Sequence, residues 1–262
     1  MCGASRAAMF RVVCIVAVSV AASPSAAMAD QPDDPSRDCI GLTPTAWTIP
    51  AGTWSVTSVM IAFARLAVAP HRRWSFELAG IIPNTGINAG GPAVSLLIHE
   101  SENVRVIARA DGAFAIDHDT TDGLRPMVNS FMVRRRAKAG GLGVIGGACL
   151  EPTCRASASL GLRGGWSEID DVGYPETSAT LALFVPIARP LLFGHGRVDM
   201  CNRMSGCYGL EGEVGGGVRF AGTRWSLTLG WIKSLAQKQD DVHISDLTPA
   251  GSPWFSVAYL RP

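Results

Sequence analysis

Two sets of residues in this chain have the types and spacing to do chemistry. One is compact, His99-Glu100-Ser101-Glu102-Asn103. A His-x-Ser pair on an extended segment places imidazole and hydroxyl on one face, where His99 could activate Ser101 as a nucleophile. The other set is dispersed: Glu77, Arg105, Arg109, Asp111, Arg155, Arg163, Glu211, Glu213, Arg219 and Arg224 sit at alternate positions of segments whose intervening residues are apolar. If those segments enclose a space, the ten charges line it. A charge in a narrow lumen must be paired, because an unpaired one costs several kcal/mol. The first expectation is therefore a network of ion pairs filling the interior. The second is a lining that selects small polar or anionic solutes, since six of the ten are arginines and rings of charge set selectivity in pores. The remaining histidines, His71, His118, His195 and His243, show no ligand spacing, so neither a metal nor a cofactor is expected.

The elements that would carry these charges are long amphipathic strands. Cys154 to Trp166 reads CRASASLGLRGGW. Ala156, Ala158, Leu160, Leu162, Gly164 and Trp166 fall on one face, and Arg155, Ser157, Ser159, Gly161, Arg163 and Gly165 on the other. Its length exceeds the usual strand of about 5–6 residues and suits a tilted strand crossing a bilayer, lipid outside and polar lumen inside. The same alternation recurs over 103–117, 208–220 and 223–235. The tryptophans, Trp47, Trp54, Trp74, Trp166, Trp225, Trp231 and Trp254, lie near strand ends, as interfacial girdles require. The fold class predicted is all-β, an antiparallel up-and-down transmembrane β-barrel of about 12 strands. They are placed at 53–66, 73–82, 92–100, 103–117, 126–137, 140–149, 154–166, 176–186, 190–201, 208–220, 223–235 and 253–260. Turns are expected at 83–86, at Gly90-Gly91-Pro92, at Asp122-Gly123, at Gly140-Gly141 and at 221–223. With both termini on the periplasmic side, 167–175 and 237–252 become outer loops, while 187–189 and 221–222 become short inner turns. The stretch 117–125 is long for the inner position that this register gives it.

Composition agrees. Apolar residues make up 47% of the chain and charged ones only 17%, greasier than a soluble domain, yet no later segment has the roughly 20 uncharged apolar residues of a spanning helix. The first 29 residues read as a secretory signal. Arg6 and Arg11 are basic, 12–22 is apolar, and Ala27-Met28-Ala29 precedes a cleavage expected before Asp30. That segment holds two of the 23 basic residues and none of the 22 acidic ones, so the remainder is close to neutral, which argues against a nucleic-acid partner. Residues 30–50 read as a loosely ordered periplasmic leader, and 51–262 as the barrel. Export implies an oxidising compartment. Cys149 and Cys154 flank one candidate hairpin turn and Cys201 and Cys207 another, and facing hairpin positions lie within disulfide reach. Two bridges are expected, with Cys39 left over.

Ile49-Pro50-Ala51-Gly52-Thr53-Trp54 and the later Gly90-Gly91-Pro92 resemble features of a loose group of uncharacterised bacterial outer-membrane barrel proteins, which often open their first strand with a leucine-proline-x-glycine element and carry a Gly-Gly-Pro turn before the third. The resemblance implies a barrel in the outer membrane and no particular activity. Its partners would be outer-membrane lipid and the outer-membrane assembly machinery. The chain departs from that pattern at its C-terminus, where Arg261-Pro262 follow the last aromatic alternation. Arg134-Arg135-Arg136-Ala137-Lys138 is the one basic cluster, and it could meet lipopolysaccharide phosphates at the outer rim. The functional expectation is a non-enzymatic barrel, structural or a narrow pore for small polar or anionic solutes. Two alternatives stand beside it. One is a surface lipid-modifying hydrolase built on His99 and Ser101, similar in spacing to the His-x-Ser-Asn motif of outer-membrane lipid A deacylases but with Glu102 in place of the asparagine. The other is a secreted soluble β-sandwich that binds a ligand.

Overall fold

The computed structural model describes residues 37–40, 43–81, 87–117, 136–169, 172–187, 190–201, 210–235 and 251–261. A two-residue-per-strand hairpin comes first, β1 (Cys39–Ile40) and β2 (Thr43–Pro44). Twelve long strands follow: β3 (Thr53–Val59), β4 (Phe63–His71), β5 (Trp74–Ile81), β6 (Ile87–Glu100), β7 (Val104–Asp117), β8 (Arg136–Cys149), β9 (Ser157–Ile169), β10 (Val172–Pro186), β11 (Leu191–Cys201), β12 (Leu210–Ala221), β13 (Trp225–Ser234) and β14 (Ser252–Arg261). Each pairs antiparallel with its sequence neighbours, and β14 pairs with β3 to close the barrel. The sheet closes on itself, so the sandwich alternative does not hold.

The period-two pattern places side chains as the sequence suggests. On β9, Leu160 and Trp166 stand on the outside, while Ser157 and Ser159 are buried inside. Leu142 is 72% exposed although fully apolar, which only a lipid-facing wall makes sensible. Aromatic side chains band the two ends of that wall. Trp54, Trp74, Trp225 and Tyr259 lie toward the end holding the termini, with Trp225 and Tyr259 rings 4.5 Å apart. Trp166 and Trp231 lie toward the other end. Trp47 and Trp254 are not part of these bands. They are buried inside, at 1% and 8% exposure.

The count of twelve agrees with the expectation, but two boundaries differ and offset each other. The stretch 53–66 breaks into β3 and β4, because Met60 and Ile61 adopt left-handed φ of 51° and 63° and turn the chain within 60–62. Such backbone carries no glycine signal and disfavours a β-branched residue, so the sequence concealed it. Conversely, β8 runs unbroken through Gly140-Gly141, and β6 runs through Gly90-Gly91-Pro92. These glycines serve close approach, not turns. A Cβ on Gly91 would stand 1.8 Å from the Gly112 carbonyl, and one on Gly141 2.5 Å from the Arg163 guanidinium. The expected strand at 126–137 and turn at Asp122-Gly123 lie outside the described residues, except that Arg136 opens β8.

The revised boundaries remove the misplaced long inner loop. Connections at the end holding the termini are 72–73, 101–103, 150–156, 187–190 and 222–224, all short. Those at the opposite end are 60–62, 82–86, 118–135, 170–171, 202–209 and 235–251, so the longest connections lie there. The outer loop expected at 167–175 is instead largely strand, with β9 running to Ile169 and β10 starting at Val172. Short turns on one side and long loops on the other are the asymmetry of single-chain membrane barrels.

Candidate functional site

The lumen holds two layers, and its own lining decides which goes where. Toward the long-loop end, charged side chains from neighbouring strands meet. Arg65 on β4 donates from Nε to Glu77 Oε2 on β5 at 3.0 Å. Arg109 on β7 donates to the same carboxylate, from Nη1 to Oε1 at 2.5 Å and from Nη2 to Oε2 at 2.9 Å, and from Nη1 to Ser95 Oγ at 3.2 Å. Glu77 is thus clamped between two guanidiniums. Further round the wall, Arg163 on β9 chelates Asp111 on β7, with Nε at 2.9 Å and Nη2 at 2.7 Å from Oδ1, and reaches Glu176 on β10 at 3.3 Å. Because Gly141 on the intervening β8 has no side chain, the guanidinium can lie flat across that strand. Arg197 and Asp199 pair along β11 at 2.9 Å, and Glu213 stands opposite Arg197 in the β11–β12 register.

Toward the end holding the termini much of the lining is small, with Ser55, Thr57, Ala67, Ser95, Ser157, Ser159, Ala182, Thr228, Ser256 and Ala258 buried there or at mid-depth, and the larger Arg105, Ile107, Phe184 and Arg219 stand among them. The chain's own residues 37–40 and 43–49 occupy this space. Three anchors of different kinds hold them. The first is ionic, Asp38 Oδ2 accepting from Arg65 Nη2 at 2.6 Å, both side chains buried. The second is polar. Arg219, fully buried, donates from Nη2 to the Cys39 carbonyl at 2.9 Å and from Nε to Thr228 Oγ1 at 3.1 Å. The Ala46 amide donates to Ser159 Oγ at 3.3 Å, and Arg105 donates to Thr48 Oγ1 at 3.4 Å. The third is apolar. Ile40 packs with Val59, Ala182, Phe184, Phe193 and Trp254, Ala46 with Leu97, Ile107 and Ile145, and Ile49 with Ala67, Ala69 and Leu260. The Trp47 ring lies under the Arg37 guanidinium at 4.4 Å and near that of Arg105 at 5.6 Å.

This segment corrects the reading of 30–50 as a loosely ordered leader, for its described part. The physical reason is visible in the sequence: Ile40, Ala46, Trp47 and Ile49 are too apolar for an exposed tether. Residues 30–36 lie outside the described residues.

At the mouth, Cys149 and Cys154 form a disulfide with Cα atoms 4.7 Å apart. They are not facing ladder positions as the hairpin argument supposed. Cys149 pairs with Ser157 in the β8–β9 ladder, and Cys154 sits in the turn at φ 55°. Arg37 Nη2 donates to the Cys154 carbonyl, and stands 3.3 Å from Cys154 Sγ and 3.4 Å from Ser157 Oγ. In the same turn the exposed Glu151 carboxylate accepts from Thr153 Oγ1 and the Ala156 amide, which hold it below the usual carboxylate range. Cys39 is a buried free thiol, and Cys207 lies outside the described residues.

Of the ten charges assigned to the lumen, Glu77, Arg105, Arg109, Asp111, Arg163, Glu213 and Arg219 are on the inner face. Glu211 stands opposite Asp199 on β12. Two placements are corrected. Arg155 is in the β8–β9 turn and Arg224 is exposed in the β12–β13 turn, because both strands begin later than the alternation suggested. Sequence reasoning missed Asp38, Arg65, Glu100, Glu176, Arg197 and Asp199. Arg65 was hidden by running β3 and β4 together, which put the strand's alternation out of phase. Glu176 stands at the very start of the strand expected over 176–186, whereas β10 begins at Val172. Arg197 and Asp199 lie on β11, whose inner face also carries Phe193 and His195 and so shows no clean polar alternation.

His99 and Ser101 do not assemble into a nucleophilic pair. Ser101 is past the end of β6, and its hydroxyl donates to the Val104 carbonyl at 3.3 Å and accepts from the Val104 amide at 3.2 Å, closing the hairpin. Glu100 takes the inward position instead, accepting from Arg105 and, at 2.5 Å, from Arg72. The irregularity between Leu97 and His99 turns the alternation by one residue there. In the basic cluster, Lys138 pairs with Glu168 at 3.2 Å, and Arg134 and Arg135 lie outside the described residues.

No protein-family model matches the chain, and no curated protein matches it. Solved structures do. One titled "KdgM porin" superposes with a TM-score of 0.50 at 6% identity, over 80% of this chain and 98% of that one. A second, "KdgM porin in complex with disordered oligogalacturonate", gives 0.48 at 6%, over 80% and 97%. The β domain of the Bordetella autotransporter BrkA gives 0.33 at 11% identity, over 80% and 98%. At such identities the likeness is one of fold.

Proposed function

We propose that this protein is an outer-membrane β-barrel whose lumen takes small polar or anionic solutes and is closed at rest. The observation that carries the reading is the pairing of an apolar outer wall, Leu142 and Leu160 among it, with an inner face of clustered arginines and carboxylates. A closed barrel satisfies its backbone hydrogen bonds internally and can sit in lipid. Its neighbours of known structure support the fold, and the signal-like N-terminus supports export. Solute preference follows from the lining. Six inward arginines, Arg65, Arg105, Arg109, Arg163, Arg197 and Arg219, are matched by six inward carboxylates, Glu77, Glu100, Asp111, Glu176, Asp199 and Glu213, so the lining suits small polar solutes and its guanidiniums supply the groups an anion can pair with.

Residues 37–40 and 43–49 close the lumen at rest, while the ion pairs of the other layer lie along the wall and narrow the path. In planar bilayers the wild type should therefore hold little or no steady conductance. Gly147→Val should open it, because a Cβ at Gly147 would stand 2.6 Å from the Ala46 methyl and push that segment from its seat. Its steps should reverse, in a salt gradient, at a potential favouring anions. A silent Gly147→Val barrel, or a preference for cations, overturns the proposal.

A further inference from the structure

The two-stranded hairpin in the lumen meets the barrel through a carboxylate and a carbonyl, and both land on arginines. Asp38 is the one carboxylate that the described part of the hairpin brings inside, and it sits on Arg65 at 2.6 Å. One residue on, the Cys39 carbonyl accepts from Arg219 at 2.9 Å. The hairpin is otherwise held by Arg37 on the Cys154 carbonyl, by the Ala46 amide on Ser159 and by the apolar packing of Ile40. Without it, Arg65 would keep only a share of Glu77, which Arg109 already engages through both its terminal nitrogens. The vacated space would then hold two guanidiniums around one carboxylate on that wall, with Arg219 four strands away on β12 and still bonded to Thr228. An excess positive charge in a confined site attracts an anion strongly.

We propose that the hairpin is a tethered pseudo-ligand. Its Asp38 carboxylate and Cys39 carbonyl occupy a binding site for a carboxylate-bearing solute, formed by Arg65 and Arg219, and such a solute opens the lumen by competing for those arginines. This deepens the passage reading above and rests on it for its purpose, but not for its test. Planar guanidiniums bind carboxylates in a fixed geometry, so a free carboxylate can reproduce what Asp38 does. A solute that displaces the hairpin has then already entered the path it travels.

Hydrogen–deuterium exchange of the purified full chain in detergent tests this. The Thr45 amide donates to the Asp38 carbonyl and the Ala46 amide to Ser159 Oγ, so the peptide carrying them reports hairpin release. Exchange is compared in sodium succinate and in sodium chloride at the same pH and ionic strength. Succinate should speed exchange of this peptide by about tenfold and leave the wall strands unchanged, since a competing ligand shifts the seated population by mass action. Asp38→Asn should speed it by a similar factor in chloride and lose most of the succinate response. Gly147→Val, which loosens the hairpin sterically while leaving Asp38 in place, should exchange faster yet keep that response. Equal exchange in the two salts, or an Asp38→Asn chain that behaves as wild type, overturns the pseudo-ligand. Exchange that responds to succinate in a barrel with no conductance supports the binding site and defeats passage alone. Conductance without that response does the reverse.

Discussion

Glu77→Gln is the substitution that interrogates the lumen network most directly. The change is nearly isosteric, so it removes charge without leaving a hole. In the wild type this carboxylate is buried and engages Arg65 at 3.0 Å and Arg109 at 2.5 and 2.9 Å. At an effective dielectric constant near 20, a unit-charge contact at about 3 Å amounts to about 5–6 kcal/mol before desolvation is offset. Breaking a buried pair by removing one partner costs about 3–5 kcal/mol in net terms. Arg65 keeps Asp38 and Arg109 keeps Ser95, so the lower end, about 3 kcal/mol, is the figure expected. The assay is urea unfolding in detergent, followed by tryptophan fluorescence and by heat-modifiable migration on gels. Glu77→Gln combined with Arg109→Gln should recover part of the loss, with a coupling of roughly 1–3 kcal/mol. A Glu77→Gln barrel within about 0.5 kcal/mol of wild type would refute the claim that these charges need one another.

Leu160→Arg should impair assembly by about 2–4 kcal/mol, the cost of a cation near the lipid midplane, as read by the yield of heat-modifiable barrel. Ser159→Arg, one residue away, should instead assemble and expel the hairpin, because Ser159 holds the Ala46 amide; hydrogen exchange at 43–49 separates the two outcomes. Gly217→Ala should destabilise the wall by roughly 1–3 kcal/mol of overpacking, since its Cβ would meet the Leu229 carbonyl at 2.1 Å, whereas Gly164→Ala meets nothing and should be near neutral in the same unfolding assay. Mass mapping of a non-reduced digest should find Cys149 bonded to Cys154 and Cys39 alkylatable only after unfolding; it also decides the Cys201–Cys207 bridge, which the same digest should show.

The wall was legible because one rule governs it. A lipid outside and a polar inside impose alternation on every strand, and residues such as Leu160 against Ser159, or Val106 against Arg105, state their faces without help from the rest of the chain. Where the rule is silent, reading failed in specific ways. Glycine pairs were taken for turns, although Gly91 and Gly141 are there to let a backbone or a guanidinium approach. Met60 and Ile61 made a turn with residues that carry no turn signal. The ion pairs were foreseeable as a class but not as partners, because Arg163 reaches across β8 to Asp111, a contact that the β7–β8 and β8–β9 registers together set. The hairpin was foreseeable from composition. A tether bound for water has little use for Ile40, Trp47 and Ile49, and those residues became legible only once a cavity was available to receive them.

That cavity follows from strand number. Strands about 4.8 Å apart and tilted by about 40° give a twelve-strand barrel a backbone radius of about 12 Å. One layer of lining side chains, about 5 Å deep on each wall, leaves a slot about 14 Å wide. Large side chains can narrow it by pairing along the wall, as Arg65, Glu77 and Arg109 do on one side and Asp111, Arg163 and Glu176 on another. Serine, alanine and threonine cannot, and an inner face built of them would stand open. A two-stranded ribbon with its side chains is about 10 Å thick, and the hairpin fills the part of the slot where the lining is small. The division of the lumen into an ionic layer and a plugged layer is therefore set by lining size. On the function proposed above, the ion pairs stay on the wall and the hairpin is the part that leaves its seat.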